Sequence, residues 1–251
     1  MVEIIILSIV QGVTEFLPIS SSSHLIVLSE IFEFKSASIF LDISLHIGSF
    51  LAVVVFFNKE IINFINNKKL FFLVFISSLP LIIIALIILK FGYLNDLRNL
   101  TVVGLSTIFF AFLMYVSDKV KSKKNLSQDW NFKNAIIIGV LHSLSLIPGV
   151  SRSGIAITAC RMLGFNRVQS AQISFLLSIP TLLAVTIYGF ISLYNQNNLN
   201  IQNLNVISVF LSFIFSYATM FFLIDYLRKF NLTVFVVYRI LLGSLIIFYV
   251  Y

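Results

Sequence analysis

Charge is what this chain has least of. Only 11% of its 251 residues are Asp, Glu, Lys or Arg, 59% are hydrophobic, and the mean hydropathy is +1.02. Such a balance excludes a water-soluble domain and leaves an all-α, polytopic membrane protein. Period-2 alternation is weak, which argues against an outer-membrane barrel. Cysteine is nearly absent: Cys160 stands alone, so no internal disulfide can form and the redox compartment stays open. The net charge of +7 does not point to nucleic acid, because the basic residues sit in short connections between apolar runs, where they set topology. A cleaved leader is not expected either. Glu3 stands where a basic segment would be, and no small-x-small site precedes the polar run at 20–24.

What is present is two short apolar segments broken by polar loops. Residues 4–16 carry Gln11 and Glu15, are interrupted by Pro18 and the serines 20–23 with His24, and resume to about Phe32. Residues 134–147 lead to Pro148-Gly149-Val150-Ser151-Arg152-Ser153-Gly154 and resume to about Leu163. Neither piece of either pair reaches the roughly 20 residues that span a bilayer, so each pair reads as a re-entrant hairpin. Full-length runs are expected at 38–57, 70–90, 100–117, 167–191, 204–226 and 232–250. The fold expected is one membrane domain over 1–251, six transmembrane helices plus two re-entrant hairpins, in two repeats (1–117 and 134–251) joined by a cytoplasmic connection at 118–133.

At an offset of 130, Pro18, Ser21 and Ser23 fall on Pro148, Ser151 and Ser153; at 132, Leu45, Ile47, Leu51, Ala52 and Val53 fall on Leu177, Ile179, Leu183, Ala184 and Val185. Three spans per half is an odd number, so the second half must be inverted, which places a site where the two interruptions meet. If each hairpin returns to its own side, one face receives twelve basic residues, from Lys59 to Lys229, against Lys35, Lys90 and Arg98 on the other. The excess marks the cytoplasmic face and puts both termini outside.

The polar residues at depth are the candidates for chemistry. An arginine inside a membrane segment costs about 2.5–3.5 kcal/mol on insertion scales, so Arg152 is expected to serve a function. Pro148 and Gly149 free backbone N–H groups, and with Ser151, Ser153 and Gly154 they make a loop suited to phosphate. Gln11 and Glu15 share a helix face, as do Asp42 and His46. With Ser21 and His24 the set offers hydroxyl, imidazole, carboxylate and guanidinium, which fits phosphoryl chemistry. Ser20 and Ser22 read as caps on the half-helices. His46 divides evenly between a supporting role and an interhelical hydrogen bond. His142 and Cys160 read as packing, Asp225 and Arg239 as a structural pair, and the 27 Phe as lipid-facing bulk.

Gln11-x-x-x-Glu15-Phe16-Leu17-Pro18 with Ser20-Ser21 and His24, together with Pro148-Gly149-Val150-Ser151-Arg152-Ser153, resembles the undecaprenyl-diphosphate phosphatase family, the bacitracin-resistance proteins. Leu45-His46-Ile47-Gly48 and Ser174-Phe175-Leu176-Leu177-Ser178-Ile179-Pro180 extend the match along the whole chain. The resemblance implies an integral enzyme of the bacterial inner membrane. It would dephosphorylate the lipid undecaprenyl diphosphate to the monophosphate, recycling the cell-wall carrier through a pocket that opens outward. It implies essential roles for Glu15, Ser21, His24 and Arg152, with Gln11, Ser151 and Ser153 supporting. In that reading Ser21, activated by His24, attacks the terminal phosphorus; the near variant has water attacking or His24 taking the phosphate. A divalent cation, Mg²⁺ or Ca²⁺, would sit on Glu15 and Gln11. Two positions depart from the family pattern: Ser22-Ser23 replaces Thr-Gly, and Ala156 stands where a Thr is usual, with Thr158 two residues on. The competing class is a polyprenyl-phosphate transporter or flippase, since broken helices in inverted repeats also suit carriers; a channel has no ring of ligands to support it. The sequence leaves the oligomeric state open, a homodimer included.

Overall fold

The computed structural model describes residues 2–32, 39–64, 68–91, 99–195 and 203–251. Among these the chain is helical throughout; one isolated bridge joins Lys124 to Phe165. The elements are α1 (Val2–Thr14), α2 (Ser21–Phe32), α3 (Ile39–Phe56), α4 (Asn58–Phe64), α5 (Lys68–Phe91), α6 (Leu100–Asp118) and α7 (Leu126–Asp129). After them come α8 (Phe132–Ser143) with a 3₁₀ turn (Leu144–Leu146), α9 (Arg152–Met162), α10 (Arg167–Asn195), α11 (Asn203–Lys229) and α12 (Thr233–Val250). Five are long and apolar enough to cross a bilayer: α5, α6, α10, α11 and α12. The apolar part of α3, Phe40–Phe56, falls just short, so five rather than six helices meet the length for a span. The start of the expected first span and the cations Lys35 and Arg98 lie outside the described residues.

The interrupted segments are short, as their breakers dictate. The helices α1, α2, α8 and α9 have 13, 12, 12 and 11 residues. At 1.5 Å per residue each is about 16–20 Å long, against about 30 Å of hydrocarbon. Each half's opening helix packs on a long helix of the other half: α1 on α11, and α8 on α5. Between them α3 lies against both α10 and α11, α6 against α12, and α9 against α6 and α10. The two halves are thus interleaved rather than side by side. Their shared core is built from Phe16, Phe57, Trp130, Phe165 and Phe175 with Ala and Ile residues of α8 to α10. Outward, Phe71, Phe72, Phe109, Phe112, Phe221, Phe222, Leu241 and Leu245 are all exposed. An apolar surface that size belongs against lipid tails. The phenylalanines therefore divide, with Phe16, Phe165 and Phe175 inside.

Small residues bring the helices together. Ser49 of α3 lies 3.2 Å from the Ser212 hydroxyl and 2.9 Å from that of Ser216 on α11, and Ser212 donates to the Leu45 carbonyl at 2.7 Å. Where no hydrophobic force separates helix from lipid, such contacts and close backbone approach drive association. Gly48 marks a close approach of α3 to α11: a Cβ there would lie 2.4 Å from the Val209 carbonyl oxygen and 2.7 Å from Ser212 Cβ. Gly48→Ala should accordingly destabilise the fold by about 1–3 kcal/mol, the usual cost of overpacking. Unfolding in mixed micelles measures it, and an unchanged midpoint would contradict the packing.

Candidate active site

The two loops between short helices are built alike. Ser20 and Ser151 are the positive-φ non-glycine residues, at +76° and +71°, each immediately before a helix. Ser23 N–H donates to Ser20 Oγ at 3.4 Å, and Gly154 N–H to Ser151 Oγ at 3.1 Å. Ser20 Oγ lies 3.2 Å from Ser22 Oγ, and Ser151 Oγ 3.2 Å from Ser153 Oγ. The serine N-cap stops the backbone, turns it left-handed and restarts a helix. The loops therefore correspond at an offset of 131, one residue from the alignment made on sequence. Ser20 matches Ser151, and Ser21 matches Arg152. Ser20 caps α2, as expected, whereas Ser22 lies inside that helix and its hydroxyl meets the Ser20 hydroxyl. Ser23, at the position where the family has glycine, lies inside α2 with an ordinary φ and donates to Ser20 Oγ at 2.9 Å, so no backbone freedom is lost there.

The loops meet through a network of polar side chains. Arg152 donates from one terminal nitrogen to Glu15 Oε1 at 2.5 Å and from the other to Thr181 Oγ1 on α10 at 2.9 Å. Glu15 Oε2 accepts from Ser21 Oγ at 2.5 Å and from Gln11 Nε2 at 2.9 Å. Ser153 donates to the Leu17 carbonyl at 2.7 Å, tying the second loop to the first. Phe16 packs edge-on to Phe175, at 5.4 Å between ring centres, fixing the end of α1 against α10. The side chains of Arg152 and Glu15 are 18% and 5% exposed, so the pair is screened from water yet reachable from one side. That side is a cavity of about 180 Å³ lined by Glu15, Ser21, Ser22, His46, Ser151, Arg152 and Thr181.

Several candidates fall elsewhere than their sequence positions imply. His46 is at the site: its Nδ1 lies 3.1 Å from Gln11 Nε2 and 4.0 Å from Glu15 Oε1. Asp42 lines an adjoining space of about 480 Å³ with Gln11, Ser21 and His46. His24 points away from the Ser21–Glu15 pair. One ring nitrogen lies 2.7 Å from the Ser20 carbonyl and the other 2.6 Å from the Tyr238 hydroxyl, with the rings stacked. Ser153 and Gly154, in the first turn of α9, do not line the cavity: the Gly154 N–H serves the Ser151 cap and Ser153 serves the Leu17 carbonyl. Ala156 and Thr158 are buried along α9 and line none of this space.

Two residues that contact the second loop were missed. Thr181 follows directly on the matched Ser174–Pro180 stretch, and that adjacency was its one signal. Arg239 does not pair with Asp225, whose partner is Lys229 at 3.1 Å. It is fully buried in α12, donates to the Gly149 carbonyl at 2.8 Å, and lies against Gly154. Ser106 and Thr107 of α6 donate to the Pro148 and Gly149 carbonyls, at 2.5 and 3.3 Å. Gly149, at φ +95°, leaves no room for a side chain: a Cβ would lie 2.1 Å from Ser106 Oγ. An arginine in the middle of an apolar 18-residue helix was the available clue to Arg239.

Because Glu15 and Arg152 bridge the two loops directly, their substitutions should not add. A double-mutant cycle of Glu15→Gln and Arg152→Gln is expected to show a coupling of about 0.5–3 kcal/mol in unfolding free energy. Additive effects would mean that the two side chains do not meet.

The arrangement brings a carboxylate, a hydroxyl and a guanidinium to one polar pocket within an apolar bundle. The chain is 45% identical over 251 residues to the undecaprenyl-diphosphatase of Pelagibacter ubique (strain HTCC1062), covering all of this chain and 98% of that one. It is 35% identical over 262 residues to undecaprenyl-diphosphatase 1 of Pseudoalteromonas translucida (strain TAC 125), covering 98% of each. To the undecaprenyl-diphosphatase of Jannaschia sp. (strain CCS1) it is 32% identical over 259 residues, covering 98% of this chain and 97% of the other. A family model described as bacitracin resistance protein BacA matches residues 4–245, and this multi-pass membrane chain belongs to that family.

Proposed function

We propose that the chain hydrolyses undecaprenyl diphosphate to undecaprenyl phosphate and inorganic phosphate, regenerating a lipid carrier. The observation that carries this reading is the junction of two cavities. The polar pocket at Arg152 shares Leu81, Leu146, Thr181 and Val185 with an apolar groove between α5 and α10 of about 270 Å³. A polar pocket that runs into a lipid-facing groove suits an amphiphile with an anionic head and a hydrocarbon tail.

Arg152 holds the terminal phosphate and offsets the charge that develops on it. Ser21 Oγ–H already donates to Glu15, so Glu15, rather than His24, is the base at hand. As Ser21 Oγ bonds to the terminal phosphorus, its proton passes to Glu15. The anhydride P–O bond breaks, and the lipid monophosphate leaves with the bridging oxygen. Glu15 gives that proton to the departing lipid phosphate and is again a carboxylate. It then takes a proton from the water that attacks the phosphoserine and returns it to Ser21 Oγ as the P–O bond breaks and phosphate is freed. His46 and Gln11 steady the Glu15 carboxylate. His24 fixes the start of α2 through Ser20 and Tyr238. A carrier would need Arg152 but has no use for a hydroxyl set on a carboxylate.

Among the described residues, no three His, Cys, Asp or Glu side chains gather to hold a metal ion by themselves. Gln11 Oε1, however, is buried without a partner beside Glu15. A Mg²⁺ or Ca²⁺ ion held by Gln11 Oε1, Glu15 and the substrate's own oxygens fits the preference of such ions for few protein ligands plus phosphate. It would supply charge neutralisation at the diphosphate.

In this reading the pairs α1–α2 and α8–α9 are re-entrant hairpins of two inverted repeats. The bundle sits in the inner membrane with both termini and the pocket outside, as the distribution of basic residues supports.

Release of phosphate from undecaprenyl diphosphate by the purified chain in detergent is the test. Arg152→Ala and Ser21→Ala should each lower turnover by about 10²-fold or more, while His24→Gln costs about tenfold or less by the same scale. Near-normal turnover of Arg152→Ala would refute the assignment, and a loss in His24→Gln as deep as in Ser21→Ala would return the base to His24. Chelation with EDTA should slow turnover in proportion to free cation, with recovery on adding Mg²⁺ or Ca²⁺; unchanged rates would remove the ion.

A further inference from the structure

A second polar cavity, of about 740 Å³, lies at the far ends of α9 and α10 from Arg152. Its walls include Lys119 at the end of α6, Arg161 on α9, Arg167 and Gln172 on α10, and Arg228 near the end of α11. Nine residues of α9 separate Arg161 from Arg152, a rise of about 14 Å. Nothing in the hydrolytic scheme uses this cavity.

Its charge is unbalanced by construction. Four cations face one carboxylate, Asp118, and that carboxylate is already occupied. Arg167 donates to its two oxygens at 2.7 and 3.1 Å, and the Leu232 N–H adds a third bond at 3.1 Å. Arg161, only 2% exposed, spends its terminal nitrogens on Ser122 Oγ and on the carbonyls of Asp118, Val120 and Phe165. Its Nε lies 3.5 Å from Asp118 Oδ1 and makes no hydrogen bond. A buried guanidinium that satisfies carbonyls keeps its full charge. Arg228 has no ion pair among the described residues, and the Lys119 ammonium rests 4.7 Å over the Tyr115 ring. The first turn of α10 also opens here: Asn166 caps it by accepting from the Gln169 N–H at 2.9 Å, while the N–H groups of Arg167 and Val168 have no acceptor within the helix. A concave site lined by one sign of charge concentrates the opposite ion.

We propose that this cavity is a second phosphate-binding site, distinct from the hydrolytic pocket, that takes a phosphate group bearing at least one ionised oxygen. Its place supports the assignment. It is bounded by the ends of the membrane-length helices α6 and α11 and by the start of α10, the depth at which lipid headgroups lie. Leu227, Val120 and Val168 give it apolar walls beside the cations. The phosphate could be carried by an anionic lipid or be free in solution; the site chemistry is the same.

The test is native mass spectrometry of the full chain released from nanodiscs of phosphatidylcholine containing a minority of phosphatidylglycerol. Lys119→Gln with Arg228→Gln removes two exposed charges and leaves the Asp118 network intact. The wild type should retain one phosphatidylglycerol that the double variant loses, with affinity falling roughly fivefold per charge removed. Arg152→Ala should retain it like the wild type, which separates this site from the hydrolytic one. Equal retention by wild type and double variant would overturn the proposal. Arg228→Glu serves the same comparison if the double variant folds poorly. Adding inorganic phosphate then names the source: displacement of the retained lipid gives the site to phosphate in either form, and no displacement gives it to the lipid headgroup. Lipid retention is read without turnover, so the result stands apart from the fate of the hydrolytic reading.

Discussion

A helix cannot stop inside a bilayer without leaving carbonyls and amides that no lipid can satisfy. This chain stops two short helices, after Thr14 and after Ser143, with the loops that follow buried in the bundle, and each break is satisfied by groups from elsewhere in the chain. Ser153 serves the Leu17 carbonyl, while Ser106, Thr107 and Arg239 serve those of Pro148 and Gly149. The serine caps at 20 and 151 restart the helices. The Arg152–Glu15 pair is the charged member of the same exchange. The candidate site is set on the contacts that make two interrupted helices tolerable, so fold and site are difficult to separate by mutation.

That dependence explains what could be read from the sequence. Composition alone excludes a soluble chain, and Pro18, Pro148 and Gly149 mark both interruptions because ring closure and a missing Cβ act locally. Gln11 with Glu15, and Asp42 with His46, follow from the 3.6-residue repeat. Each lies near the cavity as that repeat requires. The error of one residue in matching the loops has a physical source. Pro18 and Pro148 are the conspicuous letters, but the element that repeats is the left-handed serine before each helix, which has no signature in a run of four serines.

Other positions were illegible because they depend on which helices touch. Nothing near Thr181 says that it faces an arginine twenty-nine positions earlier, and Arg239 was assigned to the acid nearest in the expected topology rather than to a carbonyl ninety positions away. His24 shows the same limit. A histidine closing a serine run reads as a proton carrier for its neighbours, yet residues 21 and 24 sit on α2 so that one hydroxyl meets Glu15 while the imidazole meets Tyr238. Side-chain direction within a helix decides between these, and helix phase at a break is what local pattern defines least well.

The closeness of Glu15 to Arg152 has one more consequence. The guanidinium holds an anion of the protein's own, at 2.5 Å. Any incoming anion must displace an intramolecular rival whose effective concentration exceeds that of ions in solution. Chloride or a singly charged phosphate competes poorly, whereas a diphosphate brings more charge and more oxygens. In the proposed reaction, once the terminal phosphate is cut away, the shorter anions that remain compete less well, and the carboxylate can close on Arg152 again. For that reaction the Glu15–Arg152 pair is therefore a built-in rival of the substrate, one that sets a threshold for entry and hastens departure of the products.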